Sequence, residues 1–439
     1  MLLDDLCLRY VLIADASATN MDVVFDFANE KQELISAFKS GGIEACRRLL
    51  EKKRDEWKNI PLNVAVIGNS GVGKSSFINA IRRLTADDRD RGAAEVGVKA
   101  TTADIKCYAH PNNPLLKFWD LPGVGTKEFP KETYLAKIVV DRYDFFLLIT
   151  ATRFTENDTW LGKEIRERKK KYFFVRTKTG LDISNNKLAH PRTHNEEAVK
   201  RVIRESTEEH LRDDGCDDVP VFLIDSYEPW KFQFGHAEQR LINEFPKLKT
   251  TALILSLDAT SKEMIQLKVA ELRKRIWVVA GLSGAVGAIP VLGVSLAFDI
   301  AVAVEEATFY YTQLGLDEVS LERYANLTRT NHLQLRAIVY SGLGFTCKGI
   351  GMVGFKEVVR EGLKKLVTVL STRATAPVLA VVVEEVSRFI PVIGSCIAAP
   401  LSFAGTCAIL KLLLRKMESV ALEVIDFATK SATDTVRTG

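Results

Sequence analysis

The chain has 439 residues, 47% of them hydrophobic and 26% charged, enough apolar surface to bury a core in two or three domains and too much for a disordered chain. Its 60 basic and 56 acidic residues leave a net charge of +4, which gives no ground for a nucleic-acid partner or a strongly acidic substrate. The seven cysteines are scattered with no CxxC pair, and the six histidines make no HExxH cluster, as in a reduced intracellular protein without a structural zinc.

At the N-terminus, "MLLDDLCLRYVLIAD" has acids where a signal peptide needs a basic flank, and Leu2 stands where myristoylation needs glycine, so neither secretion nor that anchor is expected. Apolar residues at helical spacing over Met21 to Lys39 and Ile43 to Lys58, separated by Ser40-Gly41-Gly42, predict a helical hairpin within an N-terminal segment of residues 1–58. After Pro61 short β-rich runs alternate with charged helical stretches: "LNVAVIG", "DIKCYAH", "LLKFWD", "DFFLLIT", "KYFFVR" and "PVFLID". That alternation predicts an α/β fold, a mostly parallel sheet with crossover helices, over residues 59–247.

The first of these strands runs into "GNSGVGKSS", which matches GxxxxGK[ST] and continues as an amphipathic helix. Gly68, Asn69, Ser70, Gly71, Val72, Gly73, Lys74, Ser75 and Ser76 form the expected phosphate loop, a Ras-like P-loop. Its N–H groups and helix N-terminus draw in anionic oxygens, Lys74 neutralises the β and γ phosphates, and the Ser75 hydroxyl ligates Mg2+. In "GVKATTAD", Thr102, with Thr101 beside it, is the candidate switch threonine that completes the metal's coordination. "FWDLPGVG" follows at the end of another strand: Asp120 holds Mg2+ through water, and the Gly123 N–H reaches the γ-phosphate and registers its loss.

The base-reading segment is "FFVRTKTGLDISNN". Thr177 and Lys178 stand where Thr-Lys-x-Asp begins, and the lysine stem would lie across the base plane. Gly180, however, occupies the position of the carboxylate that accepts hydrogen bonds from guanine, and Asp182 comes two residues later. A bend at Gly180 would let Asp182 take the vacant place. "VFLIDS" then supplies the last strand, and Ser226 begins the loop whose N–H meets the guanine O6.

From residue 248 to 439 strand signals vanish and helical patterns take over. Two uncharged runs, Ile276 to Phe298 and Phe389 to Leu410, are long enough to cross a bilayer, but each carries Pro and Gly at its centre ("AIPVLG", "FIPVIG"). Two shorter helices meeting at a turn inside a bundle is the expectation, with membrane spans the alternative. Gly354 to Leu370 places Phe355, Val358, Val359, Leu363, Leu366, Val367 and Leu370 on one helical face and Lys356, Arg360, Lys364 and Lys365 opposite. This pattern suits a bundle helix or one lying in a membrane interface.

These motifs, with "YDFFLLITATRFTENDTWLGKEI", "YFFVRTK", "RKRIW" and "FYYTQLGLDEVSLERYA", resemble the immunity-related GTPases, an interferon-inducible, dynamin-like group of innate immunity. The resemblance implies a G domain combined with an all-α bundle built from the N- and C-terminal segments. It also implies GTP and GDP as ligands, Mg2+ as cofactor, slow hydrolysis in the monomer that dimerisation accelerates, and GTP-dependent self-association through the nucleotide face. Partners would be further copies of the chain, related GTPases and membrane lipids. The location would be cytoplasmic, peripheral to endomembranes or pathogen vacuoles. Lys74 aligns the chain with members carrying the ordinary GKS loop. Gly180 departs from the family's base-reading Asp, Ala100 from an acidic residue before the switch threonine, and Asn69 from a frequent loop Glu. No glutamine follows Gly123 to orient water, since Val124, Gly125 and Thr126 stand there. Gly180 and Ala100 motivate an alternative function, a nucleotide-binding regulator with weak or no hydrolysis and relaxed guanine specificity that controls assembly of related GTPases.

Overall fold

A computed structural model describes residues 55–97, 104–152, 154–213, 216, 219–287, 294–343, 354–357, 359–360 and 399–438, with positions 33, 36–37, 40–41, 45, 48–49 and 51–53 before them. All six β-rich runs form strands: β1 (Leu62–Ile67), β2 (Lys106–His110), β3 (Asn113–Leu121), β4 (Phe145–Thr150), β5 (Lys171–Arg176) and β6 (Val221–Leu223). They make one sheet in the order β2-β3-β1-β4-β5-β6. Every pair is parallel except the β2–β3 hairpin at one edge. Local burial explains the difference. β4 is buried at all of its positions, as a central parallel strand covered on both faces must be, whereas β2 alternates and carries exposed residues.

Helices α1 (Lys74–Ile81), α2 (Tyr134–Ile138), α3 (Glu156–Glu167), α4 (Thr179–Ala189), α5 (Glu196–Asp213), α6 (Phe234–Asn243) and α7 (Lys247–Ser256) fill the connections. One face of the sheet packs Leu121, Tyr143, Phe146, Leu148 and Phe174 against Tyr134, Ile138, Phe154, Leu161 and Ile165. Further helices are α8 (Lys262–Gly287), α9 (Val294–Gln313), α10 (Glu318–Thr328), α11 (His332–Leu343) and α12 (Ala399–Thr438).

The chain divides into two compact units. The larger comprises Trp57–Glu271, Gln313–Phe345 and Ser419–Gly439 and contains the whole sheet; the smaller comprises Met1–Glu56, Leu272–Thr312 and Thr346–Glu418. Within the larger, Arg83, just past α1, pairs with Glu238 of α6 at 2.7 Å, each side chain only 2% exposed. Within the smaller, Arg275 forks onto both carboxylate oxygens of Glu306 at 2.9 and 3.1 Å.

One helical expectation changes and another is narrowed. Ser40 and Gly41, expected in a turn, are helical: the Ser40 hydroxyl donates to Ala37 O at 2.9 Å, and Gly41 leaves room where a Cβ would come within 3.0 Å of Ala45 Cβ. In the Gly354 to Leu370 segment, Phe355 and Val359 are buried, and Phe355 stacks on Tyr311 with ring centroids 4.2 Å apart. The start of that segment therefore packs on its own unit. Residues 361–370 lie outside the described residues, as do the "AIPVLG" and "FIPVIG" centres and most of the N-terminal hairpin. Among the described residues, no helix is long and apolar enough to cross a membrane.

Candidate nucleotide-binding site

Parallel strands bring their carboxyl ends to a common edge of the sheet, the usual seat of a ligand in an open α/β fold. Leaving that edge are the loops after β1, β3, β5 and β6, and the described candidate residues stand on or beside them. Ala100, Thr101 and Thr102 lie outside the described residues.

Gly68 leaves β1 so close to β4 that a Cβ on it would sit 2.2 Å from Ile149 O. Only glycine can pass there. Gly71 and Gly73 adopt φ of 80° and 95°, the left-handed region open to glycine, and so fold the loop back on the start of α1. Ser70 and Gly71 are exposed at its crest, and Asn69, Val72 and Gly73 are half-buried. Lys74 begins the helix and is 5% exposed; its Nζ donates to Gly68 O at 2.9 Å and Asn69 O at 3.3 Å. Burial pushes the Lys74 ammonium below the usual lysine value, opposed by the nearby Asp120 carboxylate. A desolvated cation inside a loop of backbone amides has the chemistry to receive an anion.

The Ser75 hydroxyl donates to Asp120 Oδ2 at 3.2 Å, and Asp120 is 1% exposed at the end of β3. A hydroxyl and a carboxylate side by side are hard oxygen donors, the set that suits Mg2+. Although His190 and His194 stand at i and i+4, no group of three or more His, Cys, Asp or Glu among the described residues could hold a metal. Gly123 brings the β3 loop across the phosphate loop. A Cβ there would lie 3.0 Å from Asn69 Oδ1 and 3.3 Å from Gly68 O, so its backbone approaches the phosphate side directly. After it, Val124 is buried and Gly125 and Thr126 are exposed.

The base end is tied to the phosphate end by one side chain. Thr177 Oγ1 donates to Val72 O at 2.5 Å and lies 3.1 Å from Thr150 O, and the Thr177 N–H also donates to Thr150 O, at 2.8 Å. Lys178 is exposed and takes a φ of 58° as the cap of α4. The helix starts at Thr179, so no bend occurs at Gly180, and the expected rescue by Asp182 is not formed. Asp182 N donates to Lys178 O at 3.2 Å as a helical bond, and its carboxylate accepts Arg176 Nη2 at 2.6 Å.

A carboxylate nevertheless stands beside Gly180, and the sequence reading missed it. Asp225, one residue before Ser226, accepts the Gly180 N–H on Oδ2 at 3.1 Å and the Tyr227 N–H on Oδ1 at 2.9 Å. A Cβ on Gly180 would come within 2.8 Å of that Oδ2. Burial pushes the Asp225 carboxyl up, opposed by the N–H groups of Tyr227, Gly180 and Glu228. The Ser226 hydroxyl is buried without a hydrogen-bond partner among the described residues. Tyr227, 70% exposed, places its phenol 3.3 Å from Ser76 Oγ, where an aromatic ring borders both halves of the site.

A family model described as "Interferon-inducible GTPase (IIGP)" matches residues 29–345. Interferon-inducible GTPase 1 of Mus musculus is 36% identical over 303 residues, 69% of this chain and 73% of that protein. Interferon-inducible GTPase 5 of Bos taurus is 33% identical over 406 residues, 92% of this chain and 83% of its own length. Among solved structures, a chain from an oligomerised bacterial dynamin pair is 12% identical, with 86% of this chain and 82% of that one covered, at a TM-score of 0.31.

Proposed function

Because the chain belongs to the interferon-inducible GTPase family, we propose that it binds GTP and GDP with Mg2+ at the carboxyl edge of its sheet and hydrolyses GTP. The observation that carries this reading is the Thr177 hydroxyl bonded to Val72 O. It fastens a base-side loop onto a phosphate loop whose Lys74, Ser75 and neighbouring Asp120 already carry the right chemistry.

In this reading Lys74 exchanges two backbone carbonyls for β- and γ-phosphate oxygens, and the amides of Gly68 to Ser76 surround the rest. Ser75 and Asp120, with Thr102, would hold Mg2+, which supplies positive charge where negative charge builds up during phosphoryl transfer. The Gly123 N–H donates to the γ-phosphate and releases its loop when that group leaves. Lys178 covers one face of the base, and the Ser226 loop meets its O6.

No side chain at Val124 or Gly125 can orient an attacking water. The monomer therefore turns over slowly, and a second copy apposed at the nucleotide face completes the site. A G domain of residues 59–247, with helical segments 1–58 and 248–439, assembles in this way in the GTP state on intracellular or pathogen-containing membranes. The same gap after Gly123 supports a second reading, a weakly hydrolysing regulator of related GTPases.

The test is GTP hydrolysis by the full chain as a function of protein concentration, with and without Mg2+. Specific activity that rises with concentration and needs the metal supports the first reading. Tight GTP binding with flat, negligible turnover supports the second. Equal or better ATP binding would overturn both.

A further inference from the structure

We propose that Asp225 is the base-reading carboxylate of this site: the acid missing at Gly180 has been replaced by one from the neighbouring loop, which gives the pocket its preference for guanine. This rests on the nucleotide-binding reading above and names a specificity residue within it.

The argument begins with space. An ordinary side chain at position 180 would start from a Cβ, and that Cβ would be 2.8 Å from Asp225 Oδ2, so the Asp225 carboxylate would have to swing out of the place it occupies. Gly180 and Asp225 are therefore linked: the glycine is what allows the Asp225 carboxylate to reach in and accept the Gly180 N–H at 3.1 Å. The positions are brought together by strand pairing. β5 and β6 run parallel, with Ile224 N donating to Arg176 O at 2.8 Å and Thr179 N to Ile224 O at 3.2 Å, so the residues just beyond each strand meet.

The carboxylate is also fixed in place. Its two oxygens are held by the N–H groups of Gly180 and Tyr227, and it is 7% exposed, so it meets a ligand without a rotamer search. An ionised carboxylate has about four lone-pair sites on its two oxygens, more than the N–H groups of Gly180, Tyr227 and Glu228 use. Two other acids stand nearby: Asp182 is paired with Arg176 at 2.6 Å, and Glu228, whose Oε2 would lie 3.3 Å from the same Cβ, gives Oε1 to Lys231 at 2.9 Å, so neither is held on the Gly180 N–H as Asp225 is.

The chemistry discriminates between bases. Guanine offers an N1–H and a 2-amino group, both donors, to an acceptor-only carboxylate. Adenine offers a ring-nitrogen lone pair at the same place and is repelled. Xanthine has N1–H but a carbonyl at C2, which suits an amide that accepts at one atom and donates at the other. Each charge-assisted bond is worth roughly ten- to a hundredfold in affinity.

The experiment measures the affinities of the full chain for GDP, IDP, XDP and ADP, which separate base recognition from turnover. For wild type, GDP binds roughly ten- to a hundredfold tighter than IDP, which lacks the 2-amino group. Asp225→Asn is expected to weaken GDP and tighten XDP, and Glu228→Gln to leave the ranking unchanged. Gly180→Asp alone sets two carboxylates against each other and weakens GDP. Gly180→Asp combined with Asp225→Ser returns the acid to the first loop and restores the GDP preference.

An Asp225→Asn protein with the wild-type ratio of GDP to XDP overturns the inference, as does a folded double variant with no preference for guanine. If in the same series Lys74→Ala still abolishes binding of every diphosphate, the nucleotide-site reading survives that failure. Should wild type bind none of the four, that reading itself falls.

Discussion

Lys74→Met separates what the phosphate loop does for binding from what it does for folding. In the structure the ammonium is 5% exposed and held by two carbonyls, Gly68 O at 2.9 Å and Asn69 O at 3.3 Å. One charge-assisted bond to the β-phosphate, at about 1.5–3 kcal/mol, means that the variant should bind GDP roughly 10- to 100-fold more weakly, and the γ-phosphate bond adds a similar factor for GTP. Folding responds differently. Removing the lysine forfeits the two carbonyl bonds but also removes a desolvated cation, and a methionine fills similar volume. Stability without nucleotide should stay within about 1 kcal/mol of wild type. The pH dependence has a definite sign. Burial lowers the Lys74 value in the folded chain, so the unfolded chain, at 10.5, binds more protons above that folded value. Wild-type stability accordingly gains from Lys74 as pH rises toward 10.5, and the methionine variant lacks that gain. Urea unfolding across pH and titration with a fluorescent GDP analogue measure both effects. A loss of affinity under tenfold in a folded variant would refute the phosphate role. A stability loss above about 3 kcal/mol would show that the lysine is structural.

The other expectations concern packing around the site. Gly68→Ala pushes a methyl group into Ile149 O at 2.2 Å, and should cost about 1–3 kcal/mol in urea unfolding while weakening GDP binding. Glu238→Ala leaves Arg83 buried without its partner and should cost about 3–5 kcal/mol, most of it recovered in Arg83→Met combined with Glu238→Leu; an unchanged midpoint would refute the buried pair. His110 is buried, accepts the Asn112 N–H on Nδ1 at 3.2 Å, and has its pKa pushed down by burial to about 4 from 6.5. The unfolded chain therefore binds more protons between those values, and stability should fall by about 3 kcal/mol from pH 6.5 to 4, a slope that His110→Gln removes.

The strands were legible because β1 and β4 are near-continuous apolar runs, a pattern that central parallel strands need and surface helices do not show. The conformation of the loop after β1 was legible because it is one continuous segment, and its glycines at φ of 80° and 95° are required by that local conformation. Ser40 and Gly41 misled because both are common in turns, whereas here the serine hydroxyl satisfies Ala37 O and the glycine admits Ala45. Asp182 misled for a related reason. It lies near the missing acid along the chain, but once α4 starts at Thr179 its side chain turns toward Arg176.

Asp225 could not be found by counting along the sequence, because its partner is 45 positions away. What joins them is the parallel register of β5 and β6, which sets Arg176 beside Leu223 and carries both exits to one place. A site assembled from two loops over paired strands can move a functional group from one to the other, provided that the vacated position shrinks. Gly180 meets that condition, and a Cβ there, 2.8 Å from Asp225 Oδ2, would displace the carboxylate. Such an exchange keeps the chemistry while erasing the motif. The absent Asp of Thr-Lys-x-Asp is therefore weak evidence against guanine recognition in this chain. The stronger evidence is whether an acceptor stands beside the vacated position, and Asp225 accepts the Gly180 N–H at 3.1 Å.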